Sequence, residues 1–245
     1  VSFSNNDSTF DALAVNGGST SFGNGLTIAT DTGKFSLNSS AITSEGALAL
    51  TGATGIDFGA GVVFTGGGDV SMSTNSGDLV GAGAFTLTST GNISLSENLT
   101  TAGTTVIATD SDGNGAGDFS IGTSTTLSTG NNSLTLTAND ITVSGSISSG
   151  TGSTTIAVSD GGTIGLGGTS GNMTITDAEL SKITAGTLNI GNSSTGNITV
   201  DGISAANSDN VGTANLTTAS GSSVSFSNND STFNALVVNG GSTSF

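Results

Sequence analysis

The chain has 245 residues, 40 of them Gly, and contains no Pro, Cys, Trp, Tyr or His. Two basic residues, Lys34 and Lys182, stand against 18 acids, for a net charge of −16. That balance excludes nucleic acid as a partner, because binding it draws on Lys and Arg. It also excludes electrostatic adsorption to anionic membranes. Nucleophilic catalysis lacks a His or Cys partner for Ser, and zinc lacks both of its usual ligands. Gly66-Gly67-Gly68 and Gly161-Gly162 are not followed by the Gly-Lys-Ser/Thr of a phosphate loop.

The remaining composition points to a folded, all-β chain. Disordered segments carry Pro and high charge, whereas only 8% of residues here are charged and 33% are apolar. Strand-favouring Val, Ile, Thr and Phe are plentiful, and the helix formers Glu, Lys, Gln and Arg are nearly missing. No apolar run approaches the roughly 20 residues of a membrane helix, so no membrane insertion is expected. The absence of Cys fits an exported chain without disulfides; the first residue is Val and no signal peptide is visible, so an interior window of a longer protein is expected.

The chain opens VSFSNNDSTFDALAVNGGSTSF, and Val224–Phe245 reads VSFSNNDSTFNALVVNGGSTSF. Twenty of the 22 positions match; the exceptions are Asp11 against Asn234 and Ala14 against Val237. Between the two copies, apolar residues recur at i, i+2. In order they are Leu26 and Ile28, Phe35 and Leu37, Leu48 and Leu50, Ile56 and Phe58, Val70 and Met72, Phe85 and Leu87, and Ile93 and Leu95. Phe119 and Ile121, Leu134 and Leu136, Ile141 and Val143, Ile156 and Val158, Ile164 and Leu166, Met173 and Ile175, Leu188 and Ile190, and Ile198 and Val200 complete the run. Period-two alternation predicts short strands with one buried face, and Gly, Asn, Asp or Ser bound nearly all of them.

An antiparallel sandwich or barrel and a parallel β-solenoid both fit such strands. Three features favour the solenoid. Strong strands recur at a spacing of roughly 20 residues, the length of one three-sided coil. The inward residues are mainly medium aliphatics that stack on copies of themselves. Asn and Gly in the turns tolerate left-handed corners, and Asn can ladder from coil to coil. The expectation is a parallel β-helix of roughly 11–12 coils. Residues 1–223 form one repeat unit, and residues 224–245 start the next tandem repeat. At about 4.8 Å per coil such a unit advances about 50–55 Å.

DSDGNGAGD, Asp110 to Asp118, is the sharpest local signal. Asp110, Asp112, Asn114 and Gly115 match the first turn of an EF-hand calcium loop, and Asp118 falls at its ninth position. The twelfth is Ile121 in place of the bidentate Glu, and no helices flank the loop. Asp110, Asp112, Asn114 and Asp118 are thus candidate calcium ligands, the alternative being an acidic loop bulging between coils. Asp57 and Asp78, then Asp118, Asp140 and Asp160, lie one coil apart and could stack on an edge. Paired carboxylates would suit a β-helix polysaccharide hydrolase, but Asp beside Gly or Asn forms turns. No cofactor other than structural calcium is expected, and the chain reads as a non-enzyme.

Ile175–Ser204, ITDAELSKITAGTLNIGNSSTGNITVDGIS, resembles repeats of filamentous haemagglutinin-like proteins, giant bacterial surface proteins many of which leave by two-partner secretion. The similarity is specific in Thr176–Leu180 and Ile183–Gly191 and diffuse elsewhere. DSDGNGAGDFSIGT and GNISLS are also similar to the shafts of such proteins. The resemblance implies a right-handed parallel β-helix, an extracellular or cell-surface location, and an adhesive or fibre-forming role. Partners would be neighbouring copies, end to end and side by side, and a receptor on a host or neighbouring cell. A binding module recognising a receptor or glycan through its side face is the alternative to a structural shaft. Asp177–Ile183 is the one stretch of helix-like composition, where Lys182 near Glu179 could pair locally.

Overall fold

The computed structural model describes residues 1–4 and 7–245. It is a parallel β-solenoid of about 11 turns, as the alternation predicts. Each coil contributes strands to three faces, and every pairing between coils is parallel and in register. The first face begins at Ser2–Phe3 and Ser19–Phe22 and continues through Ala41–Ser44, Val62–Gly66, Phe85–Ser89, Thr105–Ala108, Leu134–Ala138 and Ser153–Val158. The second half of Ile183–Ile190, then Val211–Thr217 and Leu236–Asn239, bring it to eleven strands.

The interior is a stack of like on like. On the third face Phe35, Ile56, Leu79, Leu99, Leu127, Ile147 and Ile183 lie in one column, each in register with the next. On the second face Leu26, Leu48, Val70, Ile93, Phe119 and Ile141 form another. Both members of all fifteen i, i+2 pairs are buried. The inward set is less purely aliphatic than the sequence suggests: the six bulkiest fully buried side chains are Phe22, Phe35, Phe58, Phe64, Phe85 and Phe119. Among the described residues no buried side-chain polar atom lacks a hydrogen-bond partner. Asn ladders form as predicted: Asn239 donates to Asn215 at 2.8 Å, and Asn215 to Asn189 at 3.0 Å.

Coils are unequal. Register partners on the first face are 20 residues apart at Thr86 and Val106, 29 at Val106 and Thr135, and 34 at Thr155 and Asn189. The longest step holds a reversal of strand order. Ile164–Gly167 comes first in the chain but pairs with both Met173–Ile175 and Ile198–Asp201. Met173–Ile175 therefore sits behind it, packed against Ile141–Val143. The second face holds two strands here where the other faces hold one. Residues 168–172 fold back across Gly165, where a Cβ would lie 2.4 Å from the Thr169 carbonyl oxygen.

Two short helices follow, α1 at Asp177–Leu180 and α2 at Ala205–Ser208. Thr176 caps α1, and Glu179 closes the reciprocal capping box. The predicted pairing of Lys182 with Glu179 gives way to other bonds. Lys182 donates to the Ser144 carbonyl at 3.0 Å, and Glu179 reaches the Val143 N–H at 2.9 Å.

The two 22-residue copies pair their ends in the same way, although Ser8–Phe10 is a strand and Ser231–Phe233 is not. Ser2 pairs with Ser21 and Ser225 with Ser244. Phe3 stacks on Phe22 at 5.1 Å, and Phe226 on Phe245 at 5.2 Å. Their placement differs. Ser2–Phe3 lies on the first face, whereas Ser223–Phe226 continues the second face beyond Ile198–Asp201. Nine full coils plus one face separate them. That is fewer than about 20 residues per coil would give, because the coils are longer.

Candidate functional site: the acidic loop and the carboxylate corner

The loop from Asp110 to Gly117 bulges at the corner between the first and second faces, and Asp110 organises it. Its backbone is left-handed, with φ of 49°, and its side chain is buried. The carboxylate accepts from the N–H groups of Asn114 at 2.9 Å, Gly115 at 3.2 Å and Ala116 at 3.4 Å, and from the Ser159 hydroxyl at 2.5 Å. Burial pushes this carboxyl up. The Ser159 hydroxyl and the three N–H groups outweigh it and hold Asp110 below the ordinary carboxylate range. Asn114 also donates to Asp112 at 2.8 Å.

Of the four candidate calcium ligands, the loop brings Asp110, Asp112 and Asn114 together. Asp118 turns to the neighbouring coils. Loop amides converge on Asp110, whereas an EF-hand loop turns carbonyl and carboxylate oxygens inward. Among the described residues no group of three or more acids that could hold a metal ion is present.

Asp118 belongs to a column of Asp and Asn side chains along the corner that leads into the second face. Asp69 accepts from the N–H and side-chain amide of Asn92 at 2.8 and 3.1 Å. Asn92 accepts from the Asp118 N–H at 2.9 Å, and Asp118 from the Asp140 N–H at 3.1 Å. Each side chain thus occupies the corner N–H of the next coil, where the strand ladder has no carbonyl to offer. At Asp140 the second-face ladder stops, and side chains replace it. Asp140 accepts from Thr174 N–H at 2.8 Å, and Glu179 takes the Val143 N–H.

Asp118 and Glu179 flank Asp140 at this break, each accepting from a backbone N–H of the Asp140–Val143 stretch. Burial raises the Asp140 carboxyl above its ordinary value; bonds from Thr174 and Ile141 oppose the shift, and the charges of Asp118 and Glu179 add to it. The adjoining groove is shallow and polar, lined by Asp69, Ser71, Asn92, Ser94, Asp118 and Ser120. The expected stacking of acids thus holds for Asp118 on Asp140. Asp57 instead forms an ion pair with Lys34 at 2.9 Å on the third face, Asp78 accepts from Asn98, and Asp160 closes its own turn onto Gly162. Sequence spacing missed Glu179, which lies 36 residues from Val143. The capping-box pattern Thr176-x-x-Glu179 accounts for only one of its two oxygens.

No protein-family model matches the chain, and neither a curated protein nor a solved structure matches it.

Proposed function

We propose that this chain is a structural segment of the shaft of a bacterial surface or extracellular filament, of the filamentous haemagglutinin-like kind. One observation carries the reading: the strand register and Phe stack that close the opening coil recur within residues 224–245. A solenoid extends along one axis, so a recurring coil lengthens the rod without changing its section. In this reading residues 1–223 are one unit and residues 224–245 begin the next. The mechanism is mechanical. Stacked coils satisfy one another's backbone hydrogen bonds while a continuous apolar interior runs along the rod.

The side chains with the most suggestive chemistry support the structural role. Asp110, Asp118, Asp140 and Glu179 all spend oxygens on backbone N–H groups. The charges of Asp118 and Glu179 acting on Asp140 are the one observation that favours a polysaccharide hydrolase. Engagement of those carboxylates as ladder caps weighs against it. Receptor binding through the side face would lack the Trp, Tyr and Arg that dominate hot spots.

Electron cryomicroscopy of the native material tests the reading. A meridional reflection near 4.8 Å with a repeat of about 45 Å is expected from nine and one third stacked coils. Particles without that axial spacing overturn it.

A further inference from the structure

The first face runs unbroken through eleven parallel strands, whereas the second is interrupted between Ile141–Val143 and Met173–Ile175. No Asp, Glu, Lys or Arg lies in any first-face strand, although the chain carries 18 acids. Its outward residues form two columns, Val63, Thr86, Val106, Thr135 and Thr155 leading into Asn189 and Asn215 in one, and Thr65 and Thr88 in the other; hydroxyls, methyls and amides make up these rows. Val63 is 45% exposed there. Charges lie off these strands: Asp69, Asp118 and Asp140 stand on the corner shared with the second face, and Asp57 pairs with Lys34 on the third.

We propose that the first face is a lateral self-association surface, on which a second copy of this solenoid packs first face to first face. Charge selects the occupant. Two bodies of net charge −16 repel, and this strip is the unbroken surface on which strands meet strands without setting carboxylate against carboxylate. Removing hydroxyls and methyls from water also costs far less than removing carboxylates. The area suffices. Eleven strands at about 4.8 Å by five residues at about 3.3 Å make a strip of about 800 Å² per copy, or about 1,600 Å² in total, the size of a stable interface. A two-fold axis lying in the plane of contact, across the rods, sets each column antiparallel to its counterpart, so one patch serves both partners.

The proposal rests on the chain being a rod, and its failure is distinct. A chain that stays monomeric refutes lateral packing and leaves the axial reflection to decide the rod. The test is sedimentation equilibrium of the 245-residue chain over a concentration series. It is compared with Thr65→Lys/Thr137→Lys on the first face and Ser94→Lys/Thr142→Lys on the second. Both variants lower the net negative charge equally, so bulk repulsion falls in each. The expected result is a dimer weakened at least tenfold by the first-face pair and unchanged by the second-face pair, with far-UV dichroism showing both variants folded. Hydroxyl-radical footprinting of the unmodified chain is expected to protect Val63 as association proceeds. Monomer at every concentration, a dimer that survives the first-face pair, or unprotected Val63 in the dimer overturns the proposal.

Discussion

Gly165→Ala probes the reversal of strand order directly. A Cβ built there lies 2.4 Å from the Thr169 oxygen, 2.6 Å from the Ser170 carbonyl carbon and 2.8 Å from the Gly171 nitrogen. Ordinary contact begins at 3.4 Å, so residues 168–172 must retreat by about an ångström. All three atoms are backbone, and no rotamer change relieves the clash. Overpacking of this kind costs about 1–3 kcal/mol. The lower entropy of unfolded Ala returns about 0.4–1 kcal/mol, which leaves a net loss of about 1–2 kcal/mol. Gly18→Ala is the control, because its Cβ meets nothing within 4 Å, and it should be neutral or slightly stabilising. The chain has no Trp or Tyr, so urea unfolding is followed by far-UV dichroism. Amide exchange over residues 163–176 reports local opening, which solenoids allow coil by coil. Equal stability and equal exchange in the two variants would refute the packing of residues 168–172 over Gly165.

Asp110→Ala should speed amide exchange of residues 114–116 by releasing three N–H groups and Ser159, a local loss of about 2–3 kcal/mol, with Asp110→Asn intermediate. Millimolar Ca²⁺ should leave exchange in this loop unchanged, since Asp110 is already committed to its own amides; protection that appears with Ca²⁺ and vanishes in Asp112→Asn would restore the calcium site. The pH response should have two opposed phases. Asp140, raised when folded, binds its proton more tightly in the folded state, so its contribution grows as pH falls towards its ordinary 3.8 and disappears in Asp140→Asn. Asp110, lowered when folded, stabilises above 3.8, and that contribution is lost as pH falls below it; acid unfolding followed by dichroism separates the two. Leu79→Ala should cost about 2–5 kcal/mol, with faster exchange concentrated in the coils that stack on it at Ile56 and Leu99.

The strands were legible because one rule governs them. A half-buried strand must alternate, and Leu48-Ala49-Leu50 or Ile141-Thr142-Val143 says so within three residues. Third-face strands were less visible. Leu99–Thr101 and Thr126–Ser128 each bury a single large apolar residue, and one residue has no period. The exchange of Ile164–Gly167 and Met173–Ile175 was not legible, since both satisfy the same alternation and order along the axis leaves no mark on it. Gly165 and Gly171 carry the only local trace, two residues without side chains where chain crosses chain. At the corner, the spacing of Asp118 and Asp140 revealed their stacking. The contributions of Asn92 and Glu179 depend on which N–H lacks a carbonyl, a property of the assembled ladder.

The displacement of the second 22-residue copy by one face sets a screw. A chain of such units would turn a third of a revolution at each junction, so a given side recurs every third unit. A strip that grips a neighbour along one unit then points away from that neighbour along the next. Under the proposed shaft reading, rods of this design would not zip together over their full length. Each would hand successive units to different neighbours, and the material would grow as a cross-braced mesh, with strength in three directions and gaps set by the unit length.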